Sequence, residues 1–356
     1  MSEEKKSKGN PWLKQLKAYD DAVDYEYDSF AKENCLYTPS PYFNWVFANK
    51  SNGAPKNSSI LLLSEQKAGK SLSCYAMILE MQKNDPNGIA IYFNTELRGA
   101  LQHGVFPGID KDRMVIYDTK DPVEIFDRIR KDIEPMVQDG MPLRMIIIDS
   151  LTNIQGIKRR DADSVEDHLR GDHALTIQTG LDKLVPFCKR NKILLIGTSQ
   201  IRANQKATPG GPDTQMAESW LVKHTFEYFI SLKRAGSAED KIDIEGKTFE
   251  DEGAKDARDN SLLTGHKVYV KCEANSIGPQ GRAGVFTLDY AKGIINQHEE
   301  IFFLGKGVGV IKLEGRTYTY GDQKWVGKKE CALAIRDNPK LAAQILEDVK
   351  KLDAKE

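Results

Sequence analysis

From residue 60 onward the chain alternates short, continuously apolar runs with longer stretches whose apolar residues recur every three or four positions. The apolar runs cover 60–63, 89–93, 114–117, 145–148 and 193–196. Runs of this length, bounded by polar residues, read as strands buried on both faces. Between them Val123, Phe126, Ile129, Ile133 and Val137 mark one helix stripe, and Leu181, Leu184, Val185 and Cys188 mark another. A further helix is predicted over 72–82. Strands and helices in alternation predict an α/β fold with a mainly parallel central sheet covered on both sides. Such sheets bind ligands at the carboxyl ends of their strands.

The flanks follow other patterns. Residues 1–55 read as an N-terminal helical arm, in which Trp12, Leu13, Leu16, Tyr19 and Val23 form a narrow apolar stripe. That stripe can dock on a neighbouring subunit or pack on its own domain. Residues 51–55 (Ser-Asn-Gly-Ala-Pro) resemble a linker turn. Runs at 227–232, 268–270 and 285–288 are expected to extend the sheet edge. The charged, Gly-containing stretch 235–265 reads as a solvated excursion. From residue 298 a small α+β domain is expected, with a hairpin over 313–320 and helices over 330–336 and 340–352, broken by Asp337-Asn338-Pro339. The expected division is therefore 1–55, 56–297 and 298–356.

Composition narrows the function classes. A chain of 356 residues exceeds one typical domain, in keeping with a large core and smaller attachments. The net charge of −1 means that any nucleic-acid binding must come from local basic clusters. Five cysteines without C-x-x-C spacing argue against a zinc site or a disulfide framework and suit a reducing cytoplasm. The sequence opens Met-Ser-Glu-Glu-Lys-Lys and contains no apolar run of membrane-spanning length, so a soluble cytoplasmic protein without a membrane partner is expected.

Chemistry is expected where strands end. Ser64-Glu65-Gln66-Lys67-Ala68-Gly69-Lys70-Ser71 follows the first strand and opens a helix. That is the context of a phosphate-binding P-loop, with helix N–H groups aimed at an anion. Lys70 would reach the β- and γ-phosphates, and Ser71 would bind Mg²⁺. Ser64 replaces the first glycine of the motif, and a Gly-Lys-Ser triplet can also be an ordinary surface turn. The strand at 145–148 ends on Asp149, a Walker B arrangement for Mg²⁺ or, alone, a helix N-cap. The strand at 89–93 leads to Glu96, placed to polarise a water for attack on the γ-phosphate, or else a solvated loop glutamate. The strand at 193–196 leads to Gln200, an amide suited to sensing a γ-phosphate. Beyond it runs a basic, Gly/Pro-containing loop with Arg202 and Lys206. Lys158-Arg159-Arg160 begins a second such loop after Asp149.

These residues resemble the RecA family of recombinases, including its phage UvsX-type members, over roughly 35–352. Ser199-Gln200-Ile201-Arg202 resembles the family's Asn-Gln-Ile-Arg, and Thr95-Glu96 the segment carrying its catalytic glutamate. Tyr290-Ala291-Lys292-Gly293-Ile294 resembles Tyr-Gly-Glu-Gly-Ile. Tyr318-Thr319-Tyr320-Gly321 and Asp337-Asn338-Pro339 resemble landmarks of the family's C-terminal domain. The resemblance implies a RecA-like P-loop ATPase core, ATP and Mg²⁺ as cofactors, and hydrolysis of ATP to ADP and phosphate by Glu96. It implies helical filaments on single-stranded DNA, with pairing to homologous double-stranded DNA and strand exchange. It also implies DNA contacts for Arg159, Arg160, Arg202, Lys206, Lys233, Arg234, Lys271, Lys328 and Lys329. Its phage-like members point to a phage-encoded protein acting inside a bacterial host. The two cross-interface lysines of bacterial members have no match in Cys272-Glu273-Ala274-Asn275-Ser276; a substitute cation (Arg282, favoured over Lys271), a bound metal ion, or slow turnover with persistent filaments is expected in their place. The rival readings are an ATP-gated DNA scaffold or recombination mediator with little hydrolysis, and a RecA-fold helicase or branch-migration motor.

Overall fold

The computed structural model describes residues 28–48, 52–97, 108–161, 171–203, 214–216, 224–235, 241–242 and 264–353, together with Trp12, Gln15 and Val222. A two-stranded ribbon, β1 (Cys35–Leu36) and β2 (Ala54–Pro55), brackets helix α1 (Pro41–Val46). The central sheet then takes β3 (Ser59–Ser64), β4 (Ile89–Asn94), β5 (Met114–Asp118), β6 (Leu143–Asp149), β7 (Leu194–Ala203), β9 (Tyr228–Arg234), β11 (Gly265–Asn275), β12 (Ala283–Asp289) and β13 (Gly293–Ile295). Its order is β13-β12-β11-β9-β3-β7-β6-β4-β5. From β9 through β5 every pairing is parallel, whereas β11, β12 and β13 add antiparallel strands at one edge. Short strands β8 (Thr214–Met216) and β10 (Lys241–Ile242) pair with β7 and β11. The α/β fold with a mainly parallel sheet is therefore as the alternating pattern predicts.

Parallel strands with helices on both faces bury their side chains on both sides, and β3 is buried at all six positions. Ile60, Leu62, Tyr92, Ile147 and Ile196 face one layer, packed with Met77, Ile78 and Met81 of helix α2 (Lys70–Asn84). Leu61, Leu63, Ile91, Phe93, Ile146 and Ile148 face the other layer. That layer holds helix α3, running from Val123 to Gln138, and helix α4 (Asp172–Arg190). The stripe of α3 starts at buried Ile125 rather than at Val123, which is exposed. Its first turns, Val123–Asp127 and Ile129–Ile133, are π-type, and the wider turn aligns residues four apart: Ile125, Ile129 and Ile133.

Much of the segment read as an arm belongs to the core. Ser40 caps α1 by accepting the Phe43 N–H at 3.0 Å. Phe43 then stacks on Phe286 with centroids 6.0 Å apart, and Phe47 meets Tyr228 edge-on at 5.3 Å. The turn before β2 needs Gly53 at φ +94°, where a Cβ would lie 2.3 Å from the Leu36 carbonyl oxygen. Of the arm's apolar stripe, Trp12 is helical and exposed, while Leu13, Leu16, Tyr19 and Val23 lie outside the described residues.

The C-terminal part contains α5 (Gln297–Gly307), a three-stranded sheet of β14 (Lys312–Glu314), β15 (Thr317–Tyr320) and β16 (Gln323–Val326), then α6 (Lys328–Asp337) and α7 (Pro339–Asp353). Phe302, Ile311, Trp325, Cys331, Ile335 and Ile345 form its own small core. Buried polar contacts join it to the rest. Glu300 accepts from Ser40 Oγ at 2.5 Å and from the Tyr42 N–H at 3.1 Å, and burial pushes its carboxyl up to about 8. Arg282 pairs with Asp353 at 2.5 Å while its guanidinium lies 4.8 Å from the centre of the Trp45 ring.

Candidate functional site

The turn between β3 and α2 passes through two left-handed residues, Lys67 at φ +62° and Gly69 at φ +98°. At Gly69 a Cβ would also fall 2.5 Å from Leu288 Cδ2, so both backbone and space demand glycine. The turn delivers Lys70 and Ser71 to the start of a 15-residue helix, whose first N–H groups have no partner within it. Lys70 is nearly buried. Its ammonium donates to Ser64 Oγ at 2.7 Å and to the carbonyls of Ser64 and Glu65 at 3.3 Å each. Ser64, standing where the motif has glycine, donates in turn to the Glu65 carbonyl at 2.6 Å.

The ends of β3, β4, β6 and β7 converge on this turn. Register pairs Ser64 with Gln200 and Asn94 with Asp149. Asp149 is buried, and three hydroxyls donate to it: Ser71 and Tyr92 to Oδ2, Thr198 to Oδ1, all at 2.5 Å. Thr95 stitches β4 to β6, donating to the Ser150 carbonyl at 2.6 Å and accepting the Ser150 N–H at 2.7 Å. That contact holds the following residue, Glu96, over the cleft. Gln200 Nε2 donates to Glu96 Oε1 at 3.3 Å, so the two residues expected to sense and to hydrolyse touch directly.

Together these groups line a cavity of about 340 Å³, with Gln66, Lys67, Lys70, Ser71, Asp149 and Gln200 on its walls beside Tyr75, Asn94 and Glu96. Two other cavities are larger, about 480 Å³ between α3 and α4 and about 530 Å³ beside Lys32 and Lys350. Neither joins a P-loop turn to strand-end carboxylates, so the chemistry points to the smaller one. Its donor set also suits Mg²⁺. Among the described residues no cluster of three or more His, Cys, Asp or Glu could hold a metal alone. One hydroxyl, Ser71, and one carboxylate, Asp149, are the protein share expected of a metal that takes its other ligands from phosphate and water.

Three further residues complete the cleft wall: Arg234, His266 and Tyr290. His266 is buried with Nδ1 3.0 Å from the Tyr290 hydroxyl. Burial chiefly, with the nearby Arg234 charge, pushes its pKa down to about 4 against the opposing influence of the Ala68 backbone, so the ring is neutral at pH 7.

Proteins named RecA are similar to this chain over most of its length. The one from Paracoccus denitrificans is 22% identical over 299 residues, covering 84% of this chain and 76% of its own. The one from Bacteroides thetaiotaomicron is 24% identical over 294 residues, covering 82% and 80%. No protein-family model matches the chain. Over most of its length the chain is therefore similar to RecA proteins, in keeping with its α/β fold.

In this RecA-like chain the cations expected to meet DNA fall into distinct settings. Lys233 is exposed at the end of β9, and Lys328 and Lys329 are exposed at the start of α6. Arg160 is paired instead, at 2.6 Å with Asp161 and 3.3 Å with Asp121, and Lys271 is paired with Glu273 at 2.6 Å. Arg234 is exposed at the end of β9 and also lines the cleft beside Lys70. Arg159 and Arg202 lie in the helical turn Ile157–Arg160 and in β7, with side chains outside the described residues, as is Lys206 altogether. Arg282, the candidate for a cross-interface role, is held within its own chain. An arginine reaching for a neighbour's phosphate must be exposed, and this one is 10% exposed, stacked on Trp45 and joined to a 3% exposed aspartate. The resemblance located Tyr290 only as a sequence landmark. Arg234 and His266 carry no local signal that assigns them to the cleft, because adjacent strands bring them there from distant parts of the chain.

Proposed function

We propose that the chain is an ATP-dependent recombination protein that coats single-stranded DNA as a helical filament and promotes pairing and strand exchange with homologous double-stranded DNA. The observation that carries this reading is the Gln200–Glu96 contact inside the P-loop cleft. β7 continues from Gln200 through Arg202, and residues 204–213 follow it. A change at the γ-phosphate therefore has a covalent route toward the segment that the resemblance assigns to DNA.

In this mechanism Lys70 holds the β- and γ-phosphates, while Ser71 and Asp149 hold Mg²⁺. The metal, when bound, neutralises charge on the phosphate oxygens. Glu96 accepts a proton from the attacking water. Gln200 leaves Glu96 to donate to a γ-phosphate oxygen, which frees the carboxylate for its task and moves β7. Arg234 supplies a cation from the same chain, in place of the interface role once open to Arg282. The protein acts in the cytoplasm. Among the described residues no helix is long and apolar enough to cross a membrane.

Electron microscopy with single-stranded DNA and a non-hydrolysable ATP analogue tests the assembly. Helical filaments are expected; closed rings would favour the motor reading. In parallel, Glu96→Gln should keep nucleotide and DNA binding while hydrolysis falls by roughly two orders of magnitude or more. If the wild-type protein forms filaments but its ATP turnover already equals that of Glu96→Gln, the ATP-gated scaffold is the better description.

A further inference from the structure

We propose that Tyr92 is a positioning residue for the metal site, holding the Asp149 carboxylate so that Ser71 presents its oxygen to Mg²⁺. The inference rests on the nucleotide-site reading above. Tyr92 lies in the middle of β4, between Ile91 and Phe93 in sequence and flanked across the sheet by Ile116 and Ile147. It is 1% exposed. A phenol there must bring its hydroxyl into the dry interior, where an unpaired hydroxyl costs about 1–3 kcal/mol. Phenylalanine would fill the same space at no such cost, so the hydroxyl needs a reason.

The reason is the atom it reaches. Tyr92 donates to Asp149 Oδ2, the same oxygen that accepts from Ser71. Thr198 holds Oδ1 from the opposite strand, β7. With both oxygens anchored, the carboxylate cannot rotate about its own axis without breaking a buried hydrogen bond. Ser71 must then keep its proton on Oδ2, and its oxygen lone pairs are left for the cleft that it lines. All three donors are neutral, so they orient the carboxylate without cancelling the charge that attracts a cation. Tyr75, whose ring centre lies 5.3 Å from that of Tyr92, packs behind it and also lines the cleft.

Tyr92→Phe keeps the ring and removes one oxygen, so the core stays filled. Binding of a fluorescent ATP analogue to wild type and variant would be titrated with Mg²⁺ and repeated in EDTA, with thermal unfolding of both. The Mg²⁺ concentration for half-maximal binding should rise by about three- to tenfold, the equivalent of one hydrogen bond, while affinity in EDTA is unchanged. An unchanged Mg²⁺ requirement with a lowered melting temperature would overturn the proposal and make Tyr92 a packing residue only. Absence of Mg²⁺-dependent nucleotide binding in the wild type would overturn the nucleotide reading itself, and this inference with it.

Discussion

The cleft at the ends of β3, β4, β6 and β7 and the seam beneath the C-terminal helices both bury charged side chains, yet they satisfy them in different ways. At the seam Arg282 pairs with Asp353 and donates to the Trp45 carbonyl at 3.4 Å, while the Trp45 ring covers the guanidinium. In the cleft, Lys70 donates to a serine hydroxyl and two carbonyls, while Asp149 accepts from three hydroxyls. An opposite charge cancels a buried ion and locks it in place. Neutral donors fix the direction of the Asp149 carboxylate and leave its charge for a cation. Burial alone therefore does not say how an ion is satisfied; the chemistry of its partners does.

The contrast can be broken from either side. Asp353→Ala removes the carboxylate paired with the largely buried Arg282 and should cost up to about 3–5 kcal/mol of unfolding free energy in urea, with nucleotide affinity preserved. Lys70→Ala should do the reverse. Loss of charge-assisted bonds worth about 1.5–3 kcal/mol each lowers nucleotide affinity by roughly two orders of magnitude in calorimetric titration, with little change in stability. A Lys70→Ala protein that binds nucleotide as the wild type does would remove the cleft from the comparison.

Glu300 sharpens the seam. Its carboxyl is raised from 4.5 to about 8, so between those values the folded chain holds a proton that the unfolded chain has released. Stability from this group is complete below pH 4.5 and declines as pH rises toward about 8. Glu300→Gln should flatten that decline in melting temperature measured across the same range, and an unaltered slope would place its origin elsewhere. The smallest effect is expected at Ser64. Ser64→Ala removes the hydroxyl that competes with phosphate for Lys70, and nucleotide affinity should tighten by about three- to fivefold, on the order of one net hydrogen bond. Weaker binding would mean that Ser64 supports Lys70 rather than restraining it.

The strands of the sheet were legible because a strand buried on both faces must be apolar throughout, a pattern visible in isolation at 60–63 or 145–148. The P-loop, Asp149, Glu96 and Gln200 were legible because each follows such a run. Where local rules change, the reading shifts, as in α3, where π-type turns moved the stripe from Val123 to Ile125. Helix α5 was missed although Ile301, Phe302 and Leu304 are buried in it, and β16 was missed because only Trp325 of its four residues is buried. The Arg282–Asp353 pair joins residues on unrelated elements, and nothing near either one in sequence announces it. Tyr92 passed as one more strand residue, since its hydroxyl acquires meaning only when β6 lies alongside and presents Asp149.

The stacking of Phe43 on Phe286 and the bond from Ser40 to Glu300 have a consequence for how the chain is made. Ser40 and Glu300 are separated by 260 positions. At about 5–20 residues per second, translation takes tens of seconds to cover that distance. For most of that interval α1 lacks Tyr228, Phe286 and Glu300, so Phe43 and Phe47 wait for the aromatic partners that cover them. An aromatic segment of the finished core thus waits for its closing partners until most of the chain has been made.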